Sequence, residues 1–250
     1  MNEQEKSTQL EGINAVWAAL KVDRDVDRIF IQKTAKPERM KLILQNASRK
    51  RIIVEYVPKQ KLDSISLTEH HQGIIAILPA SEYVSFEEIV DKIFEKNERP
   101  LFVLLDGIQD PHNLGAIIRT AECAGADCVI IPERRSAKMT TVAASASAGA
   151  VNYIPVAKVT NMNRTIEHLQ KLGVWVIGTA TGKKNYDEVD YTGSTAIVMG
   201  SEGEGLHRLT EEKCDDIVGI NMYGKTSSLN VSVASGIILF EAAKARSNTK

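Results

Sequence analysis

Short runs in which nearly every side chain is apolar constrain this chain more than any other feature. LFVLL at 101–105 and VWVIG at 174–178 present no polar face. A strand with one face in water alternates polar and apolar residues, whereas a strand covered on both faces has no reason to. Such runs predict a parallel sheet with helices on both sides, an α/β architecture. Strands are expected at 101–105, 128–131, 174–177, 196–199 and 216–220, and helices at 114–124, 162–172, 207–214 and 229–245. The stretch NVSVAS at 230–235 alternates like a strand. Val233, Ile237 and Phe240 nevertheless continue a helical period to Ala245, and that length favours helix.

Residues 1–78 alternate in the same way on a smaller scale, with helices expected at 12–21 and 36–48 and strands at 28–32, 51–57 and 73–78. Between the two parts lies an acidic stretch, 79–98, with 2 basic and 6 acidic residues. It can form one amphipathic helix from a Ser85 cap through Phe86, Ile89, Val90 and Ile93. The chain thus divides into a first domain at 1–78, a linker at 79–98 and a second domain at 99–250.

Thirty-one Lys and Arg oppose 32 Asp and Glu, so no chain-wide basic surface exists and any contact with nucleic acid must be local. The densest basic run is Lys33, Lys36, Arg39, Lys41, Arg49, Lys50 and Arg51, with Glu38 the one acid among them. It reads either as a solvated helix face or as a phosphate-contacting patch, and composition does not separate the two. Three cysteines, Cys123, Cys128 and Cys214, form no CxxC pair, so neither a disulfide framework nor a structural zinc site is expected. MNEQEKSTQLEG has no apolar signal core, and no stretch of about 18 apolar residues occurs. A cytoplasmic protein is the expectation.

Three loops at strand ends hold the candidate chemistry. DGIQDPHNLGAIIR at 106–119 makes a turn at Asp110-Pro111, and Asn113 is placed to cap the following helix, with Arg119 in its second turn. Arg119 would otherwise be a surface cation paired with Glu122 at i+3. GSEGEGL at 200–206 has three glycines in six residues, spaced G-x-x-G-x-G, which is not the dinucleotide fingerprint. INMYGKTSSLNVSVAS at 220–235 is a strand end, a glycine turn and a Ser pair suited to capping a helix. TATGKKN fails as a P-loop, because Ile177 and Lys184 stand where Gly and Ser or Thr must be. His70, His71, His112, His168 and His207 lack metal-ligand spacing, and no G-x-S-x-G elbow is present. The residues alone therefore reach a small, nucleotide-like ligand at the carboxyl ends of the strands.

Together the three loops resemble the three motifs of the SpoU (TrmH-like) RNA 2′-O-methyltransferases of the SPOUT superfamily. The likeness rests on Asn113, Gly115 and Arg119 in DPHNLGAIIRTAECAG, on VMGSEGEGL at 198–206, and on SSLNVSVASGIILFEA at 227–242. GINAVWAAL and HQGIIAIL resemble the substrate-binding domain of the ribosomal members, so the likeness covers nearly the whole chain. It is greatest to the bacterial 23S rRNA (guanosine-2′-O-)-methyltransferases. The resemblance implies a SPOUT-type parallel sheet with a C-terminal trefoil knot, a rare exception to unknotted chains, behind a small α/β substrate-binding domain. It further implies S-adenosyl-methionine as methyl donor, a homodimer, no metal and no membrane. Thr179, Gly200, Ile220, Met222 and Leu229 would hold the cofactor. Asn113, Arg119, Glu202 and Asn230 would form the polar active site. The first domain would bind RNA, with Arg39, Arg49 and Lys50 as the contacts. A tRNA substrate and a non-catalytic RNA-binding or ribosome-assembly factor are the competing readings. The resemblance of the N-terminal part to the ribosomal members disfavours tRNA, and the intact polar quartet disfavours a non-catalytic role.

Overall fold

The computed structural model of the chain describes residues 9–21, 26–34, 37–68, 70–78, 83–134, 136–201, 203 and 205–247, the side chains of 37–39, 141 and 181–183 excepted. The first unit runs β1 (Gln9–Glu11), α1 (Ile13–Lys21), β2 (Arg28–Gln32), α2 (Pro37–Arg49), β3 (Ile53–Val57), α3 (Lys59–Ile65) and β4 (Ile74–Ile77). Its four strands lie in the order β1-β4-β2-β3, with β2 and β3 parallel and the other pairs antiparallel. Val16, Ala19 and Leu20 of α1 and Met40, Ile43 and Ala47 of α2 close over Ile29, Ile31, Ile74 and Ala76. Buried Glu11 ties β1 to the loop after α3, accepting from the Ser66 hydroxyl at 2.7 Å and from Leu67 N at 2.7 Å.

The second unit runs β5 (Val84–Ser85), α4 (Phe86–Lys96), β6 (Leu101–Asp106), α5 (Pro111–Cys123), β7 (Cys128–Pro132), α6 (Thr141–Ala146), β8 (Val156–Val159), α7 (Met162–Lys171), β9 (Trp175–Asn185), β10 (Thr195–Gly200), α8 (Arg208–Lys213), β11 (Asp216–Gly219) and α9 (Val231–Ser247). Its seven strands are all parallel, in the order β11-β9-β10-β6-β7-β8-β5. The apolar run in β6 has the predicted cause. Leu101, Val103 and Leu105 enter the core under α5 and α9, while Phe102 and Leu104 enter the core under α4 and α7. The segment expected to connect the two domains contributes to this second core. β5 pairs with β8, and α4 buries Phe86, Val90 and Ile93 beneath the sheet.

The small-residue stretch TTVAASASAGA becomes the seam between the units. Gly115 lets α5 lie against α6, since a Cβ there would come within 2.3 Å of the Ala143 carbonyl oxygen. Ala144, on α6, is buried in the core of the first unit. Gly149, at φ +93°, brings the chain so close to α1 that its Cβ would lie 2.7 Å from the Ala18 Cβ. Elements β1, α3, α6 and β8 had no periodic signal of their own. They are three to seven residues long, and what orders them is the surface on which they pack.

Candidate active site at the carboxyl edge of the sheet

Helix α5 starts earlier than the sequence suggests. Pro111 occupies its first turn and the Asp110 carboxylate caps it, accepting from His112 N at 3.0 Å. Asn113 is therefore not the cap. It lies inside the helix, 8% exposed, and its Oδ1 accepts a hydrogen bond from Asn230 Nδ2 at 3.1 Å. Asn230 in turn caps α9, its Oδ1 accepting from Ser232 N at 2.9 Å and from the Ser232 hydroxyl at 2.5 Å. The cap expected of the Ser227-Ser228 pair is thus supplied by Asn230. One side chain starts α9 and joins it to α5, bringing the first and third loops together.

With the helix beginning at Pro111, Arg119 stands in its third turn and not its second. It is exposed and has no hydrogen bond or ion pair to a described residue, so the pairing with Glu122 does not form. The glycine loop after β10 closes on itself through Ser201 N to Gly205 O at 2.9 Å and Gly205 N to Ser201 O at 3.1 Å. A Cβ on Gly200 would lie 2.3 Å from the Gly205 carbonyl carbon and 2.4 Å from Leu206 N, so the loop returns over a bare backbone. Glu202, on this loop, lies outside the described residues.

The remaining expected cofactor residues stand on the neighbouring strand ends. β11 pairs with Ile177 and Gly178 of β9 and then with Lys184 and Asn185, so residues 179–183 leave the ladder at the carboxyl edge. Thr179, at the root of that excursion, is anchored by its hydroxyl to Val198 O at 2.9 Å. Ile220 and Met222 are half-buried after β11, and Leu229 is 39% exposed before α9. Thr179, Gly200, Ile220 and Met222 therefore stand at or just past the ends of β9, β10 and β11, beside the β6 end that leads to Asn113, while Leu229 precedes α9.

The expected RNA contacts lie apart, in the first unit. The side chain of Arg39 lies outside the described residues. Arg49 donates to Asn46 Oδ1 at 3.1 Å, and Lys50 is half-buried with its ammonium on Leu20 O at 2.6 Å. Lys50 thus also serves the end of α1. One pair was not foreseen. Asp106, 4% exposed at the end of β6, accepts from His207 N at 3.0 Å and faces His207 Nδ1 at 2.8 Å, fastening the glycine loop to the first strand. Only a fold that sets β6 beside β10 makes those two positions neighbours. Among the described residues no cluster of His, Cys, Asp or Glu could hold a metal ion, and no helix is long and apolar enough to cross a membrane.

Parallel strands whose carboxyl-end loops converge, one of them glycine-rich, define a ligand-binding α/β protein. The sequence signature of the SpoU rRNA Methylase family spans residues 100–240, and that of RNA 2′-O ribose methyltransferase substrate binding spans 9–84. The chain belongs to the SpoU family and is a methyltransferase of that family, with an N-terminal substrate-binding domain. A TrmH family tRNA/rRNA methyltransferase of Bacillus subtilis strain 168 is 41% identical over 236 residues, 94% of each chain. The AdoMet-bound rRNA methyltransferase of Sinorhizobium meliloti superposes with a TM-score of 0.81 at 26% identity, covering 97% of this chain and 88% of that one. A TrmH/SpoU tRNA modifying enzyme of A. aeolicus gives 0.56 at 31% identity over 65% of this chain and 85% of its own.

Proposed function

We propose that the protein transfers a methyl group from S-adenosyl-methionine to a ribose 2′-hydroxyl of RNA, and that its target is a guanosine of 23S rRNA. The observation that carries this reading is the bond from Asn230 to Asn113, which unites two of the three loops and joins α9 to the helix that bears the exposed Arg119. The donor set suits an adenosyl group, which is held by peptide groups and apolar contact. The 179–183 excursion and the Gly200 loop offer backbone, and Ile220, Met222 and Leu229 offer half-exposed apolar side chains. S-adenosyl-methionine, when bound, supplies a methyl group on a sulfonium, a leaving group already activated. What remains for the chain is alignment of the ribose and release of its proton, mainly positioning.

A guanidinium already carries its proton in neutral water and is a poor proton acceptor, so the chemistry asks something other than base catalysis of Arg119. Its role is a clamp on the target phosphate or on the developing alkoxide. Asn113 and Asn230 hold the first and third loops in register, and Glu202 orients Asn113 or Arg119. The trefoil knot at the C-terminus and assembly as a homodimer in the cytoplasm belong to the same reading. So does the division of labour between an RNA-binding domain at 1–78, joined by 79–98, and a catalytic domain at 99–250. Ribosomal RNA is favoured over tRNA because the rRNA enzyme of S. meliloti aligns with 97% of the chain, the tRNA enzyme with 65%.

Two measurements test the proposal. Calorimetry with S-adenosyl-methionine should show binding, and none at millimolar cofactor would favour a non-catalytic RNA-binding factor. Mapping ribose methylation in the rRNA and tRNA of a deletion strain should reveal one missing 2′-O-methyl guanosine in 23S rRNA. A loss confined to tRNA would move the substrate to tRNA.

A further inference from the structure

The loop after β7 carries charge for which methyl transfer has no use. Arg134 and Lys138 are exposed there, and neither makes a hydrogen bond or ion pair to a described residue. The loop itself is fastened at both ends and in the middle. Glu133 N donates to Val159 O at 2.8 Å, Ala137 N to Ile108 O at 2.6 Å, and Met139 N to the Tyr83 hydroxyl at 2.7 Å. Ser136 reaches back to Pro132 O, and Thr140 caps α6. Beside the loop, Lys158 of β8 stands 3.6 Å from the Tyr83 ring centroid. Burial lowers the Lys158 pKa, Glu133 pushes it back up, and Lys138 lowers it again. Two lysines are therefore held near each other on a chain whose net charge is −1.

The position of this cluster matters as much as its charge. β7 is the strand next to β6, and strands in a sheet lie about 5 Å apart, so the loop stands one strand away from the segment that leads to Asn113. The bond from Ala137 to Ile108 joins the two loops directly. On its other side the loop runs into α6, which packs on the first unit through Ala144. The cations occupy the step between the candidate active site and the substrate-binding domain.

We infer that Arg134 and Lys138, with Lys158, form a fixed cationic shelf for the phosphate backbone of RNA flanking the target nucleotide. The inference rests on the proposed function and adds the path of the substrate strand. Spaced cations on an open ledge suit a chain of phosphates better than one enclosed anion, and a pre-ordered loop loses little freedom on binding.

The test uses the full-length protein and the double substitution Arg134→Glu with Lys138→Glu. Both side chains are exposed, so the melting temperature should hold. Affinity for transcribed 23S rRNA and for transcribed tRNA is measured by filter binding across a salt series, and S-adenosyl-methionine affinity by calorimetry. RNA affinity should fall at least tenfold and its salt slope should flatten by about two units, one for each lost phosphate contact. Cofactor affinity should not change. RNA affinity and slope within twofold of the unaltered protein would overturn the shelf, as would cofactor affinity that falls in parallel. An unaltered protein that methylates neither RNA, while the substitution still weakens binding, would sink the proposed reaction and leave the shelf standing.

Discussion

Asn230 shows how one side chain can serve two levels of structure. Its carbonyl oxygen satisfies the amide of Ser232 at the start of α9, and its amide nitrogen reaches Asn113, so helix start and loop junction depend on the same residue. Arg119 is the opposite case, an exposed cation that bonds to no described residue. Arg119→Ala should therefore leave the melting temperature and cofactor affinity unchanged and lower the methyl-transfer rate more than tenfold, at least about 1.4 kcal/mol of transition-state stabilisation. A variant that keeps more than a tenth of the rate removes Arg119 from the chemistry. Glu11 offers a test of stability. Burial raises its pKa, but bonds from Leu67 N, Thr68 and Ser66 outweigh that and hold it below the usual carboxylate value. The folded chain thus binds this proton more weakly than the unfolded chain does. Its stabilising effect is complete above the ordinary carboxylate pKa and is lost as the pH falls through the lowered one. Glu11→Ala should cost about 3 kcal/mol near neutrality by stranding those donors. In denaturant titrations that gap should narrow in acid, and a gap independent of pH would refute the account.

At the scale of elements, close backbone approach shapes the site more than any charged pair does. Helix α5 can meet α6 only because position 115 has no side chain, and the loop after β10 can fold back only because position 200 has none. Gly200→Ala forces a methyl group into the Gly205 and Leu206 backbone, which can yield only by opening the loop. Cofactor affinity should then drop at least tenfold, about 1.4 kcal/mol, with β10 itself still in place because its ladder to β6 and β9 is untouched. Calorimetry and a melting curve on the same sample would check this, and unaltered affinity would show that the loop is not the cofactor cradle. Helix α9 carries apolar residues on more than one face. Val231, Ile238, Leu239 and Ala242 are buried against the sheet, whereas Val233 and Phe240 are each 52% exposed.

At the scale of the whole molecule, that outer face of α9 bears on assembly. The helix that could have covered it within one chain, α4, packs on the opposite side of the sheet among Phe102, Leu104 and Ile166. Among the described residues the face carrying Val233 and Phe240 stands open beside the largely exposed 221–230 loop, and a two-fold contact between copies would cover both. Light scattering at micromolar protein should give twice the 27.5 kDa chain mass, and Phe240→Asp should shift it toward the monomer. A species of single-chain mass with full methyltransferase activity rules out an obligate dimer. The two units of one chain are themselves docked through small residues, Ala18 on Gly149 and Ala144 in the first core.

Local pattern was enough to place five of the seven strands of the second sheet, helices α5, α7, α8 and α9, and the three loops that matter, because burial on both faces leaves unbroken apolar runs and helical burial leaves its period. It also drew attention to Asn113, Arg119 and Gly200, whereas Asn230 was named only through the family resemblance. It could not say which residue caps which helix, since Asp110, Asn113 and Asn230 are all good caps in isolation and only the packed chain decides. It could not pair Asp106 with His207, or show Lys50 turned inward to Leu20 O. The order of β6 beside β10 and the seating of α6 between two cores depend on surfaces far apart in the sequence. A residue's own neighbours determine which face of its element is apolar. What covers that face is settled only when the whole chain has folded.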